Sequence, residues 1–336
     1  MQIVSLFSGC GGLDLGFEKA GYKIIWANEY DKTIHNTYRK NFPNTVLDTR
    51  SIVDIKSDDI PDCDGIIGGP PCQSWSSGGA KRGFKDKRGG LFLEFIRIIK
   101  DKQPKFFVAE NVKGLLAKTK KESLDRILNL FTEAGYNVCY KLVNASDYGI
   151  AQDRERVFFV GTRNVEFKFD ITNKPIIKLW DIIYDLKDNV VESNNWNTNP
   201  NVCLNAHEYL PESVSGFSSQ YMSRNRVRGW NECGYTVVCS GRHITLHPDV
   251  PVMRKVNKDL FEFVEDHEYR RLSVRECARI QSFPDTFLFV YSRITDGYKM
   301  VGNAVPPTLA YEIATNIKKI EHDLFVCYST KDIILY

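Results

Sequence analysis

From Met1 to about position 169, short apolar runs alternate with stretches that carry an apolar stripe at helical spacing. The runs QIVSLFS, KIIWAN (23–28), DGIIGG (64–69), KFFVAEN (105–111), NVCYKLVN (137–144) and RVFFVGT (156–162) are continuous and rich in β-branched or aromatic residues, which predicts buried strands. In GCGGLDLGFEKAGY, Leu13, Phe17 and Ala20 share a helical face that Gly21 ends; in ESLDRILNLFTEAGY, Leu124, Ile127, Leu128 and Phe131 do the same before Gly135. Strand, helix and strand in repetition predict an α/β fold, a doubly wound, mostly parallel sheet covered on both faces.

The pattern breaks over 170–289. Asn-rich and Pro-punctuated stretches such as ESNNWNTNPN predict a second, smaller and irregular domain. A helical stripe returns in GNAVPPTLAYEIATNIKKIEHD through Leu309, Ile313 and Ile317, and such a helix packs most simply back on the first domain. The expected division is 1–169 plus 290–336 against 170–289. The tail LFVCYSTKDIILY reads as one more strand.

With 336 residues, 43% of them hydrophobic, the chain can bury a core in each of two domains. No apolar run approaches the ~18 residues of a membrane span, and the first residues lack the basic flank of a secretory leader, so no membrane association is expected. Nine cysteines, an odd number with no C-x-x-C pair, argue against a disulfide framework and a structural zinc site and predict a cytoplasmic protein. His243 and His247 are four apart, but the β-branched run between them and Pro248 oppose a helix-borne pair, so no metal is expected.

The net charge of +3 is mild, yet its distribution is not even. Lys81, Arg82, Lys85, Lys87 and Arg88 face only Asp86 in the glycine-bracketed stretch 78–90, which reads as a mobile basic loop. Between 213 and 258, Arg224, Arg226, Arg228, Arg242, Arg254, Lys255 and Lys258 stand against Glu232 and Asp249. Arginines spaced by two in SRNRVRGW would lie on one side of an extended segment and suit guanine edges, although phosphate clamping is equally open for any one of them. Nucleic acid is the partner these patches predict.

Two stretches carry candidate chemistry. FSGCGGLDLG (7–16) is a strand, a turn with Gly9, Gly11 and Gly12, and a helix start, and Glu29 follows the next strand where nucleotide folds bind ribose hydroxyls. The spacing lacks the pyrophosphate fingerprint, so an adenosine ligand without phosphates, such as S-adenosylmethionine, fits better than NAD. In IIGGPPCQSW, Pro70 and Pro71 stiffen the chain and present Cys72 at the C-terminal edge of the sheet, either as a nucleophile or as a cysteine in a rigid turn. Glu110 and Asn111 end the next strand, and Arg154 and Arg156 precede another. A thiol, a carboxyl and guanidiniums at neighbouring edges suit covalent attack on cytosine. Cys72 would add to C6, Glu110 would bond N3 and the exocyclic amine, and Arg156 would hold O2, leaving C5 able to take a methyl group.

FSGCGGLDLGF, GGPPCQSWS, AENVKGLL, YGIAQDRERVFFVG, RRLSVRECARIQSFPD and GYKMVGNAVP, in this order from residue 3 to about 317, resemble the motif blocks of bacterial DNA cytosine-5 methyltransferases of restriction-modification systems. The resemblance implies a base-flipping enzyme that uses S-adenosylmethionine and releases S-adenosylhomocysteine. It implies catalytic roles for Cys72, Glu110, Arg154 and Arg156, and a cofactor site of Phe7, Gly9, Gly11, Gly12, Leu13, Glu29, Tyr30, Ile52, Pro70, Asn303, Ala304 and Val305. It makes 1–169 plus 290–336 the catalytic and cofactor-binding domain and 170–289 the target-recognition domain. Where the family has Gly-Asp-Ile before its third strand this chain reads LDTRSIVDI, which leaves the adenine contact to Ser51 or Asp48. YMSRNRVRGWNECGYTVVCSGR with LHPDVPVM resembles the recognition segment of members that modify GGCC, with Arg224, Arg226 and Arg242 as guanine readers, and RHITLHP keeps a related site open. Gln73, Ser76, Lys81, Arg82 and Arg88 are further expected contacts to double-stranded DNA. A monomer paired in function with a cognate restriction endonuclease is the implied setting. The competing readings are a nicotinamide-dependent oxidoreductase, a DNA-binding module without catalysis, and the same chemistry on RNA.

Overall fold

The structure, a computed structural model, describes residues 1–71, 89–170, 173–199 and 207–325. At its centre is a seven-stranded sheet in the order β3 (Val46–Asp48), β2 (Lys23–Asn28), β1 (Gln2–Leu6), β4 (Gly65–Gly68), β5 (Phe106–Val112), β7 (Glu155–Thr162), β6 (Asn137–Asn144). Every pairing from β3 to β5 is parallel, whereas β7 runs antiparallel to both β5 and β6. The segment 145–154 between β6 and β7 is too short for the crossover that a parallel return requires, so the strand reverses.

Neighbouring residues of a strand point to opposite faces, and the apolar runs fill both. Ile66, Phe107, Val157 and Phe159 share a layer with Phe92 and Phe95 of α3 (Gly89–Lys102) and with Ile127 and Phe131 of α4 (Lys121–Glu133). Ile67, Phe106, Val108, Phe158 and Val160 face Leu13 and Phe17 of α1 (Gly12–Lys19) and Leu309, Ile313 and Ile317 of α8 (Pro307–Lys319). Each such side chain, fully withdrawn from water, stabilises the fold by about 1.5–3 kcal/mol. A Cβ at Gly16 would stand 2.3 Å from Ala310 Cβ, so only glycine lets α1 and α8 approach this closely. The C-terminal helix thus returns to the sheet as its stripe predicts. Of the expected tail strand, Leu324 and Phe325 instead close the helix α9 (Glu321–Phe325), and 326–336 lie outside the described residues.

The described part of 170–289 has little regular structure. β8 (Val191–Glu192) pairs with β9 (Glu208–Tyr209), and β10 (Arg254–Asn257) with β11 (Leu260–Glu262). A small cluster of Tyr221, Val227, Leu246 and Met253 forms a local core. A larger one joins Leu179 and Ile183 of α5 (Leu179–Ile183), Cys277 of α6 (Val274–Ile280) and Tyr298 and Val301 of α7 (Ile294–Asn303) to Tyr38 of α2 (His35–Asn41) and to Phe42. The irregular part therefore shares apolar surface with the sheet-bearing part. Within RRLSVREC, Ser273 caps α6 and Glu276 reaches back to the Ser273 N–H at 2.7 Å, while Arg270 grips the Glu276 carboxylate with two hydrogen bonds of 2.8 Å.

Beneath the N-terminal glycine turn lies a fully buried carboxyl. Asp14 accepts from Ser5 Oγ at 2.6 Å and from Tyr38 Oη at 2.5 Å, and burial pushes it up to about 7 against the hydrogen bonds that lower it. A carboxyl raised on folding contributes stability that is complete below its unfolded value near 4 and lost as pH rises through about 7. Replacing Asp14 by Asn removes that titration, so the melting temperature of the variant relative to wild type should rise between pH 5 and pH 8. A difference that stays constant across this range would show that the carboxyl titrates normally.

Candidate active site

The C-terminal edge of the parallel strands opens into a cavity of about 850 Å³, a size that accommodates a nucleoside-sized ligand together with a base. One end of it is built by the turn after β1. Phe7 adopts φ 53°, a left-handed conformation that costs a bulky residue about 1–3 kcal/mol and is held by the surrounding structure. At Gly11, φ is +92° and a Cβ would meet the Phe42 ring at 2.2 Å, so the turn closes only with glycine. Gly12 starts α1, hard against the Val305 carbonyl.

Glu29, just past β2, aims its carboxylate into this end. Its Oε2 accepts from the Gly9 N–H at 2.9 Å and its Oε1 from the Asp31 N–H at 2.7 Å. Burial raises its pKa, and those backbone donors partly offset the rise. Each oxygen keeps a lone pair for a ligand hydroxyl. Of the residues expected around a cofactor, Phe7, Gly9, Leu13, Glu29, Pro70, Asn303, Ala304 and Val305 line the cavity; Gly11, Gly12, Tyr30 and Ile52 do not. Gly11 and Gly12 shape the turn from behind, Tyr30 is exposed, and Ile52 is buried against Val4 and Leu6. Neither Ser51 nor Asp48 lines the cavity, and the Asp48 carboxylate is taken by Arg50 at 2.6 Å.

The polar groups at this end suit a ligand with hydroxyl and amine groups, such as an adenosyl cofactor. Ser8 Oγ is buried at the cavity wall with no hydrogen-bond partner, and a buried hydroxyl of this kind calls for a polar group from a ligand. Ser5 of β1, Ser8, Asp31 and Lys120 also line the cavity.

The reacting end follows from the reversal of β7. Because that strand is antiparallel, its start lies at the same edge as the end of β5, with Arg156 opposite Val112. Arg156 Nε thereby reaches Glu110 Oε1 at 3.0 Å, in a pair whose side chains are 16% and 12% exposed. Burial raises the Glu110 pKa, and the nearby Arg156 and Arg154 offset part of the rise. Asn111 Nδ2 donates to the Pro70 carbonyl at 2.9 Å and pins the two-proline loop beside Glu110. Pro71 is the last described residue of that loop; Cys72, Gln73, Ser76, Lys81, Arg82 and Arg88 lie outside the described residues.

Arg154 differs from the expectation that it holds a base. It is fully buried and absent from the cavity wall, donating to Val237 O at 3.1 Å, Gly302 O at 2.9 Å and Ala304 O at 3.0 Å. The three arginines of SRNRVRGW likewise separate. Arg224 is exposed, Arg226 is buried and donates to Tyr221 O and Gln220 O, and Arg228 pairs with Glu232 and Asp153. Arg226 stacks on Tyr221 at 4.5 Å, an arrangement that fixes the segment and leaves its guanidinium little freedom to read a guanine. Arg242 is exposed over the Trp196 ring. His247 packs edge-on to Trp230 and is lowered to about 4 by burial, and no group of three His, Cys, Asp or Glu able to hold a metal occurs among the described residues.

Residues 1–319 match the family described as C-5 cytosine-specific DNA methylase. The chain is 56% identical to Type II methyltransferase M.FnuDI of Fusobacterium nucleatum, over 95% of this chain and 94% of that protein. It is 53% identical to Type II methyltransferase M.NgoPII of Neisseria gonorrhoeae, over 95% and 96%. The solved Entamoeba histolytica methyltransferase EhMeth superposes with a TM-score of 0.68 at 18% identity, covering 95% of this chain and 98% of that one, and shares the fold. On the extent of the family match and of these identities, the chain belongs to the C-5 cytosine-specific DNA methylases.

Proposed function

We propose that the protein is the modification enzyme of a type II restriction-modification system, flipping a cytosine out of double-stranded DNA and methylating C5. The observation that carries this reading is the Glu110–Arg156 pair at 3.0 Å, set at the far end of the cavity that holds Glu29. The Cys72 thiolate adds to C6 of the everted base. Glu110, whose raised pKa keeps more of its carboxyl protonated, gives a proton to N3, while Arg156 orients Glu110 and faces O2. C5 becomes enamine-like and nucleophilic. S-adenosylmethionine, when bound, supplies the electrophilic methyl group and leaves as S-adenosylhomocysteine. Water then takes the C5 proton, the electron pair of that bond expels the Cys72 thiolate, and N3 returns its proton to Glu110, which restores the aromatic ring and the starting enzyme.

Glu29, Ser8, Asn303 and the backbone around Phe7 and Gly9 would hold that cofactor, with Leu13, Pro70, Ala304 and Val305 completing the apolar walls. Residues 1–169 with 290–336 form the catalytic unit in this reading, and 170–289 the recognition unit. The GGCC assignment rests on the resemblance of the segment YMSRNRVRGWNECGYTVVCSGR, in which Arg224 and Arg242 are exposed and Arg226 supports the segment from within. The type II names of the relatives favour a partner endonuclease. One base is modified at a time, so a cytoplasmic monomer suffices; no helix among the described residues is long and apolar enough to cross a membrane.

Four experiments test this. Glu110→Gln should lower kcat by about 10²–10⁴-fold. Wild type should lose rate as pH rises through the raised Glu110 pKa, and the Gln variant should lack that limb; equal rates in the two proteins would remove Glu110 from proton transfer. Duplex bearing 5-fluorocytosine at the target should trap a covalent adduct on Cys72, and an active enzyme that gives no mass increase would exclude the thiol addition. DNA from cells expressing the chain should resist cleavage at GGCC but not at unrelated sites, whereas full cleavage at every GGCC would sink the site assignment. Methyl incorporation into transfer RNA run beside duplex DNA separates the RNA alternative.

A further inference from the structure

The buried Arg154 joins three parts of the chain. The strip 234–239 follows the arginine-rich recognition segment and is laced to 151–154: Asp153 N–H donates to Gly234 O at 2.8 Å, Gly234 N–H to Ala151 O at 3.0 Å, and Val237 N–H to Gln152 Oε1 at 2.8 Å. From this strip the Arg154 guanidinium spans Val237 O on one side and Gly302 O and Ala304 O on the other. Those last two carbonyls flank Asn303, whose exposed side chain lines the cavity. Gln152 Nε2 donates to Gln281 Oε1 at 2.5 Å, and Gln281 Nε2 donates to Ala304 O at 2.6 Å, so a second buried bridge reaches the same loop. Contact is also direct. A Cβ on Gly302 would fall 2.3 Å from the Val238 carbonyl carbon.

We infer that Arg154 is a positioning residue, not a base contact: through the Gly302 and Ala304 carbonyls it fixes Asn303 against the cofactor and ties that loop to the recognition strip. The physical reason is satisfaction of buried acceptors. Three carbonyls withdrawn from water need donors, and one planar guanidinium supplies them in a fixed geometry that a lysine ammonium cannot match. With the guanidinium removed, the loop is free to shift, and the cofactor contact suffers before the chemistry does. The inference rests on the cofactor reading proposed above.

The test compares Arg154→Lys and Arg154→Met with wild type, using unmethylated bacterial genomic DNA, which contains every short site, as methyl acceptor. Loss of bonds to a charged donor weakens binding by about tenfold or more, so KM for S-adenosylmethionine should rise at least about tenfold for Met and less for Lys. At saturating cofactor, kcat should stay within about threefold of wild type. Calorimetric Kd for S-adenosylhomocysteine, without DNA, should weaken in the same order. A fall in kcat of tenfold or more with KM and Kd unchanged would place Arg154 at the base and overturn the inference, as would variants indistinguishable from wild type. If neither Arg154 variant folds, Gln281→Met removes only the second bridge, and the same rise in KM and Kd, smaller in size, decides the matter. Wild type that binds S-adenosylhomocysteine in this pattern but methylates no DNA would defeat the proposed function and leave this inference intact.

Discussion

The reversal of one strand sets the chemistry of this protein. β7 returns antiparallel because 145–154 cannot make a crossover, and the return delivers its first residues to the edge where the parallel strands end. Had β7 been parallel, Arg156 would lie at the opposite edge from Glu110, about the length of a strand away. The 3.0 Å pair is therefore a consequence of topology before it is a matter of side-chain chemistry.

The pair is also shaped by its surroundings. Taking a carboxylate out of water raises its pKa, and a guanidinium beside it only partly reverses that. A balance of this kind makes the carboxyl easier to protonate than a free one while the pair holds it in a fixed orientation. At the other end of the cavity the same logic runs through the backbone. Glu29 is buried and raised, and two N–H groups rather than a cation hold it in place, which leaves its outer lone pairs toward the cavity. Asn111 connects the ends by gripping Pro70, so the loop leading to Cys72 and the strand bearing Glu110 are fixed to each other.

Much of this was legible from residue order. Six of the seven sheet strands announce themselves as apolar runs; β3, three residues long and on the sheet edge with Val46 exposed, does not. The stripes of α1, α4 and α8 are readable because each buries one face, and α3 carries one as well in Phe92, Phe95, Ile96 and Ile99. Residues at or just past strand ends, such as Glu29, Pro70 and Glu110, could be assigned to the cavity because the sheet edge fixes where they lie. Lys120 could not, since the path of its backbone depends on contacts distant in sequence.

Fold class, family and the residue types that meet at the reactive edge follow from residue order alone, because apolar periodicity and motif order are local properties of the chain. Tertiary structure decided how the arginines divide their work. Arg154 and Arg156 are two positions apart, and Arg224 and Arg226 share an extended segment, yet one of each pair is buried against backbone carbonyls while the other faces a carboxylate or open solvent. Spacing cannot distinguish them, because the acceptors that claim a guanidinium include carbonyls of Val237, Gly302 and Ala304, brought there only by packing of segments that are far apart in the chain.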